Sequence, residues 1–184
     1  MANLIMRRAS LDDLPPLPGL PAGYALRLRR DEDLAPLANL LRAAFVDETW
    51  TPEQVRAVLI DEPSVKTTFV VEQEGELAAT ASARLTPDRY PGSGYLHWVA
   101  AAPAHHGQGL GRIVSLAVLH DFVRLGCRDA VLETQDERLA AIATYKKLGF
   151  APDFRDESHP ARWAEVEENL GSDRLANPSL RRVQ

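Results

Sequence analysis

The sequence predicts a mixed α/β sandwich, a central sheet with helices on both faces, and three observations predict it. The elements run strand, two helices, a hairpin, then two strand-helix units. Apolar residues alternate with period 2 in some stretches and recur at 3.6-residue spacing in others. Hydrophobic residues make up 45% of the 184-residue chain and charged residues 26%, the balance of a soluble globular protein with one core.

Residues 1–22 are read as an extended proline-rich arm, because Pro15, Pro16, Pro18 and Pro21 deny a helix or inner strand its N–H donors. The main domain is read as residues 23–170. Its first strand follows from Tyr24, Leu26 and Leu28, which alternate with Ala25, Arg27 and Arg29. Asp31 is the expected cap of a helix carrying Leu34, Leu37, Leu41 and Phe45 on one stripe. Thr51, Pro52 and Gln54 then supply a capping hydroxyl, a first-turn proline and a capping-box amide for a second helix, ending near Ile60.

Residues 67–73 and 76–85 are rich in β-branched or small residues and flank Glu74-Gly75, which predicts an antiparallel hairpin. Residues 95–102 read as a strand stopped by Pro103. A glycine-rich turn over 107–111 precedes a helix over 112–125. Residues 129–134 read as a strand and 139–148 as a helix, with Gly149 in the place of a left-handed cap and Phe150 opening a short strand. A last amphipathic helix over 161–170 should turn Trp163 and Val166 inward, and residues 171–184 read as a disordered tail.

Charge and composition narrow the function. A net charge of −5 without a concentrated basic face argues against nucleic acid, which calls for cations along the phosphates. Cys127 is the only cysteine, so no intrachain disulfide can form. No apolar run approaches the ~20 residues that span a bilayer, and the first eight residues lack a signal-peptide core, so no membrane contact and a cytoplasmic location are expected. No metal-ligand pattern is present, and either a monomer or a homodimer is compatible with the sequence.

Two segments carry chemistry. After the strand come His106, Gly107, Gln108, Gly109, Leu110, Gly111 and Arg112. Glycines at 107, 109 and 111 let backbone N–H groups face outward at a helix N-terminus, a site suited to anionic phosphate. The dinucleotide fingerprint is not met, since its third glycine would fall on Arg112, and the lysine of the Walker pattern is missing. The second segment holds Ala141, Tyr145, Gly149 and Phe150 where a helix closes and a strand begins.

Together the two segments resemble the motifs of the GNAT superfamily of N-acetyltransferases. The likeness covers roughly residues 23–154 and is specific over about 96–150. It implies a mixed, mostly antiparallel sheet and acetyl-coenzyme A as cosubstrate. It also implies that the backbone of Val99, Ala100 and Ala101 pairs with the pantetheine arm, while the amides from Gly107 to Arg112 cradle the pyrophosphate. His106 stands where arginine or glutamine is usual, and Arg138 where many members have asparagine. Residues 96–101 also resemble the corresponding strand of aralkylamine N-acetyltransferase, in which histidines relay a proton; the second of those positions is Tyr95 here.

The reaction so implied moves an acetyl group to a primary amine of a small molecule by direct attack in a ternary complex. Two other readings stand beside it, acetylation of a protein or peptide amine and a coenzyme A-binding module without turnover. An alkylamine of pKa near 10.4 gives up its proton at pH 7 at a cost of roughly 4.6 kcal/mol, so a base is needed. His97, which titrates near neutrality when unperturbed, is the first candidate, and Glu133 on the next strand competes, directly or through water. Tyr145 is the expected general acid toward the departing thiolate. A backbone N–H at Val99 or Ala100 is the natural oxyanion donor. Asp47, Glu48 and Trp50, between the first two helices, are candidate acceptor contacts through charge and cation–π attraction.

Overall fold

The computed structural model describes residues 3–47 and 49–176, with side chains to residue 172. In chain order the first elements are β1 (Leu4–Arg8), β2 (Tyr24–Leu28), α1 (Leu34–Phe45), α2 (Pro52–Leu59), β3 (Val65–Gln73) and β4 (Glu76–Arg84). They are followed by β5 (Ser93–Ala101), α3 (Leu110–Arg124), β6 (Asp129–Thr134), α4 (Leu139–Lys147), β7 (Ala151–Pro152) and α5 (His159–Ala176). These elements form two compact units, the larger Ala9–Val131 and the smaller joining the described residues up to Arg8 with those from Leu132 onward.

In the larger unit the strands lie in the order β2-β3-β4-β5-β6. All neighbours are antiparallel except β5 and β6, which run parallel. The expected hairpin closes at Gln73↔Glu76, with both turn residues left-handed, Glu74 at φ 52° and Gly75 at φ 88°. Every residue from Leu77 to Ala83 is buried, so both faces of β4 are covered. Helix α1 packs on β4 and β5, and α3 packs on β3, β4 and β5. The alanines at 78, 79, 81 and 83 have no exposed surface, and such small side chains let packed elements approach closely. On the α3 side Phe122 lies against Gly94, where an added Cβ would fall 2.3 Å from the ring. The other core gathers Leu37, Leu41, Val55, Leu59 and Trp50 from α1, α2 and their connection.

Local signals explain most boundaries. Thr51 Oγ1 accepts the N–H of Gln54 and Pro52 opens α2, as expected. The entry to α1 differs. Asp31 to Asp33 form a short 3-10 turn, and it is Asp33, not Asp31, that accepts the N–H of Arg30 at 2.6 Å. Asp33 also takes two hydrogen bonds from the Arg27 guanidinium, at 2.6 and 2.9 Å, and those bonds hold its carboxyl below the usual range despite its burial. Leu28 is 55% exposed rather than inward, because β2 is the edge of its sheet.

In the smaller unit β1 pairs antiparallel with β7 through Met6↔Pro152 and Arg7↔Ala151. This corrects the expectation that residues 1–22 are an arm throughout. Leu4 and Met6 are fully buried, and all the prolines of that segment come later, leaving the first eight residues free to pair. Helix α4 ends at Gly149, left-handed at φ 83°, and Arg8 Nη1 donates to the Leu148 carbonyl at 2.7 Å. Trp163 and Val166 on α5 are buried as expected, but the helix runs to Ala176, past the predicted end. Residues 177–184 of the predicted tail lie outside the described residues.

Candidate active site

The larger unit places a glycine-rich turn and an unfinished strand edge in succession. Helix α3 starts at Leu110, capped by Gly109 at φ 73°, and Gly107 lies at φ 81°. Glycine reaches these left-handed angles without penalty, which explains both residues locally. Gly111 has no such reason, and a Cβ there would meet nothing within 4 Å. Among the described residues, the N–H groups of 107–111 donate to no protein acceptor, whereas Arg112 and Ile113 both bond back to the Gly109 carbonyl. Five successive open amides at the positive end of a fifteen-residue helix are an arrangement whose partial charges suit an anion.

Strand β5 leads into this turn. Its parallel pairing with β6 is limited to Ser93↔Asp129, Gly94↔Ala130 and Tyr95↔Val131. From Leu96 to Ala101, including Val99, Ala100 and Ala101, that edge has no strand partner among the described residues and offers its donors and acceptors to an extended ligand. On its other edge β5 pairs with β4, but Ser82↔His97 and Thr80↔Ala100 leave Ala81 facing both Trp98 and Val99. This is a β-bulge, and Trp98 adopts φ 48° in it. A left-handed tryptophan costs on the order of 1–2 kcal/mol, which its packing offsets. Its ring lies 4.6 Å from Trp50 and 5.6 Å from Phe45, edge to face in both cases.

The bulge brings the ring of Trp98 beside that of His97, which Tyr95 flanks on the same face of the regular strand. His97 sits 5.2 Å from Tyr95 and 5.1 Å from Trp98, measured between ring centroids. Nδ1 of His97 is buried without a hydrogen-bond partner, as is Nε1 of Trp98. Burial, reinforced by the charge of Arg84 and opposed by that of Glu62, pushes the imidazole down to about 4. His97 is therefore neutral at pH 7 and can accept a proton, though less readily than free imidazole.

The other sequence candidates fall in three places. Asp47 Oδ1 accepts both the N–H and the hydroxyl of Thr49, at 3.0 and 2.7 Å, so the carboxylate caps its own turn and is held below its ordinary range. Trp50 is buried against Trp98, and Glu48 lies outside the described residues. His106 is exposed in the turn, beside His105, whose Nδ1 meets the Tyr24 hydroxyl at 2.8 Å. Glu133 and Tyr145 belong to the smaller unit. Glu133 accepts from Asn3 Nδ2 at 3.4 Å. Tyr145 is buried, packs edge-on against Phe150 with centroids 6.1 Å apart, and burial raises its hydroxyl to about 12.

The sequence reading missed two features of this region. The bulge has no signature, since Trp98 is not a residue that announces a positive φ. Arg84 carried no motif, yet it stands directly across from Tyr95 in the ladder. Among the described residues no group of three or more His, Cys, Asp or Glu could hold a metal ion, and no helix is long and apolar enough to cross a membrane.

Comparison with known proteins places this arrangement. Residues 34–150 match the model of the acetyltransferase (GNAT) family. A mycothiol acetyltransferase from Nocardia farcinica is 32% identical over 161 residues, 82% of this chain and 53% of that protein. The chain spans about half the length of the curated relatives it matches. A GCN5-related N-acetyltransferase from Sphaerobacter thermophilus superposes with a TM-score of 0.64 at 19% identity, over 83% of this chain and 50% of that one. The yncA protein of Salmonella typhimurium, solved with its cofactor acetyl-CoA, superposes at 0.57 and 20% identity, over 70% of this chain and 80% of that one. With the mixed sheet, the open amide turn and a family match over more than half its length, this chain is a member of the GNAT acetyltransferase family.

Proposed function

We propose that the protein transfers an acetyl group from acetyl-coenzyme A to a primary amine of a small molecule, by direct attack within a ternary complex. The observation that carries this reading is the run of open amides at 107–111 beside the unpaired edge of β5. A diphosphate suits the first and an amide-bearing pantetheine arm the second, and Gly111 leaves room for close approach. Once bound, acetyl-coenzyme A would supply an activated thioester carbonyl.

The chain's own groups then have three tasks. His97, held neutral, takes a proton from the ammonium acceptor, directly or through water; Glu133 is the alternative base. An N–H of the bulged segment, at Val99 or Ala100, donates to the carbonyl oxygen as negative charge gathers there. Tyr145, protonated throughout the physiological range, is the donor to the leaving sulfur. Its part rests on the motif it shares with the family. The mycothiol acetyltransferase relatives support a small-molecule acceptor over a protein amine.

Thiol release from acetyl-coenzyme A, followed over a panel of amines, tests the reading. Amine-dependent release is expected, with micromolar binding of the cosubstrate by calorimetry. Binding without release for any amine would reduce the protein to a carrier of coenzyme A, and no binding at all would remove the basis of the proposal.

A further inference from the structure

One cluster near His97 has no role in the reaction just described. Arg84 ends β4 and is the direct cross-strand partner of Tyr95. Its guanidinium carbon lies 5.9 Å from the centre of the Tyr95 ring, and its Nε donates to Ser64 Oγ at 2.6 Å. Among the described residues its two terminal nitrogens donate no hydrogen bond. Nη2 comes only within 3.9 Å of Glu62, whose Oε1 is already committed to the N–H and hydroxyl of Ser64. The guanidinium is thus oriented by a ring and a hydroxyl, 26% exposed, and leaves its planar fork open.

A forked donor held in place by other contacts is the arrangement that recognises a carboxylate through two parallel hydrogen bonds. Its position puts it beside the chemistry. His97 pairs with Ser82 and Tyr95 with Arg84, so Arg84 and His97 are diagonal neighbours on one face of the sheet, their backbones about 7–8 Å apart. Two side chains on the same face at that spacing can both be met by one small ligand.

We propose that Arg84 anchors a carboxylate on the acceptor, so that the amine acetylated belongs to an amino-acid-like molecule, with Tyr95 and Trp98 flanking its side chain. This assignment rests on the acetyltransferase reading above. It reverses the sign of the acceptor contact expected from Asp47 and Glu48, because Arg84, a cation that acts on His97, keeps its terminal nitrogens without a hydrogen bond among the described residues. It also gives the ligand a part in its own reaction. Arg84 is one of the charges holding the imidazole down, alongside burial and against Glu62, so a carboxylate paired with Arg84 offsets that charge and makes His97 a better proton acceptor.

The test uses matched acceptors that differ only in the carboxylate: phenylalanine with phenethylamine, leucine with isoamylamine, and β-alanine with ethylamine. Thiol release should favour the carboxylated member of at least one pair by tenfold or more in kcat/KM. In R84Q that preference should fall to near unity through a raised KM, and in R84K it should be partly kept. Coenzyme A affinity and thermal melting should stay at wild-type values in both. Calorimetry of the coenzyme A-saturated protein with the N-acetylated amino acid should show binding that R84Q weakens at least tenfold. Equal or better turnover of the plain amines, or a preference that R84Q leaves intact, would overturn the assignment of Arg84 and leave the acetyltransferase reading standing. No turnover of any acceptor with acetyl-coenzyme A bound would overturn both.

Discussion

Trp98 and Trp50 meet edge to face at 88°, with ring centroids 4.6 Å apart, so the bulged strand is fastened to the connection between α1 and α2. Removing Trp50 should cost about 3–5 kcal/mol, the usual range for a buried tryptophan cut to alanine. Urea unfolding of Trp50→Ala checks this, and Trp50→Phe should recover more than half of the loss.

The open amides at the start of α3 predict opposite effects on folding and binding from one substitution. Gly111→Glu puts a carboxylate into unoccupied space in the first turn, where it suits the helix dipole and opposes a diphosphate. The melting temperature should stay within a degree or two of wild type, while acetyl-coenzyme A affinity by calorimetry should fall at least tenfold.

Acid should destabilise the protein through His97. Its folded value lies near 4, below the 6.5 of an unfolded histidine, so between these values the unfolded chain binds more protons. Stability is therefore full above about pH 6.5 and declines as pH falls toward 4, by a few kcal/mol at most. Denaturant titrations at pH 7 and pH 4.5 should show a smaller difference in His97→Gln than in wild type.

Tyr145 works in the other direction. Its folded value, about 12, is above the ordinary tyrosine value of 10, so the folded chain keeps the proton longer. The corresponding stabilisation is present below about pH 10 and is lost as pH rises toward 12. Tyr145→Phe should flatten that alkaline loss. It should also lower kcat by roughly 10²- to 10⁴-fold, the range for a positioned proton donor, with little change in cosubstrate affinity.

The elements legible in the sequence are those whose signals are local. The Glu74-Gly75 hairpin, the Thr51 cap and the stop at Gly149 each depend on one or two residues with a strong backbone preference. The first strand was hidden because Leu4 to Arg8 shows no alternation, and it is buried on both faces. Trp50 reads as a surface aromatic beside two acids, yet its ring finds more stabilisation against Trp98 than in water. The glycine turn before α3, with Gly107 and Gly109 left-handed, was legible from glycine spacing alone. The bulge and Arg84 were not, because both depend on which residue faces which across β4 and β5, and register is a property of two strands at once.

The extra residue in β5 also fixes a parity. Before it Tyr95 and His97 share one side of the sheet, and after it Ala100 returns to that side only because Trp98 and Val99 together count as one step against Ala81. Deleting either residue would restore an ordinary ladder without disturbing a single glycine of the turn that follows. It would leave Ala100 opposite Thr80 and remove the left-handed kink that turns Trp98 onto Trp50. The chain's tolerance for length changes should therefore be lowest at this one step.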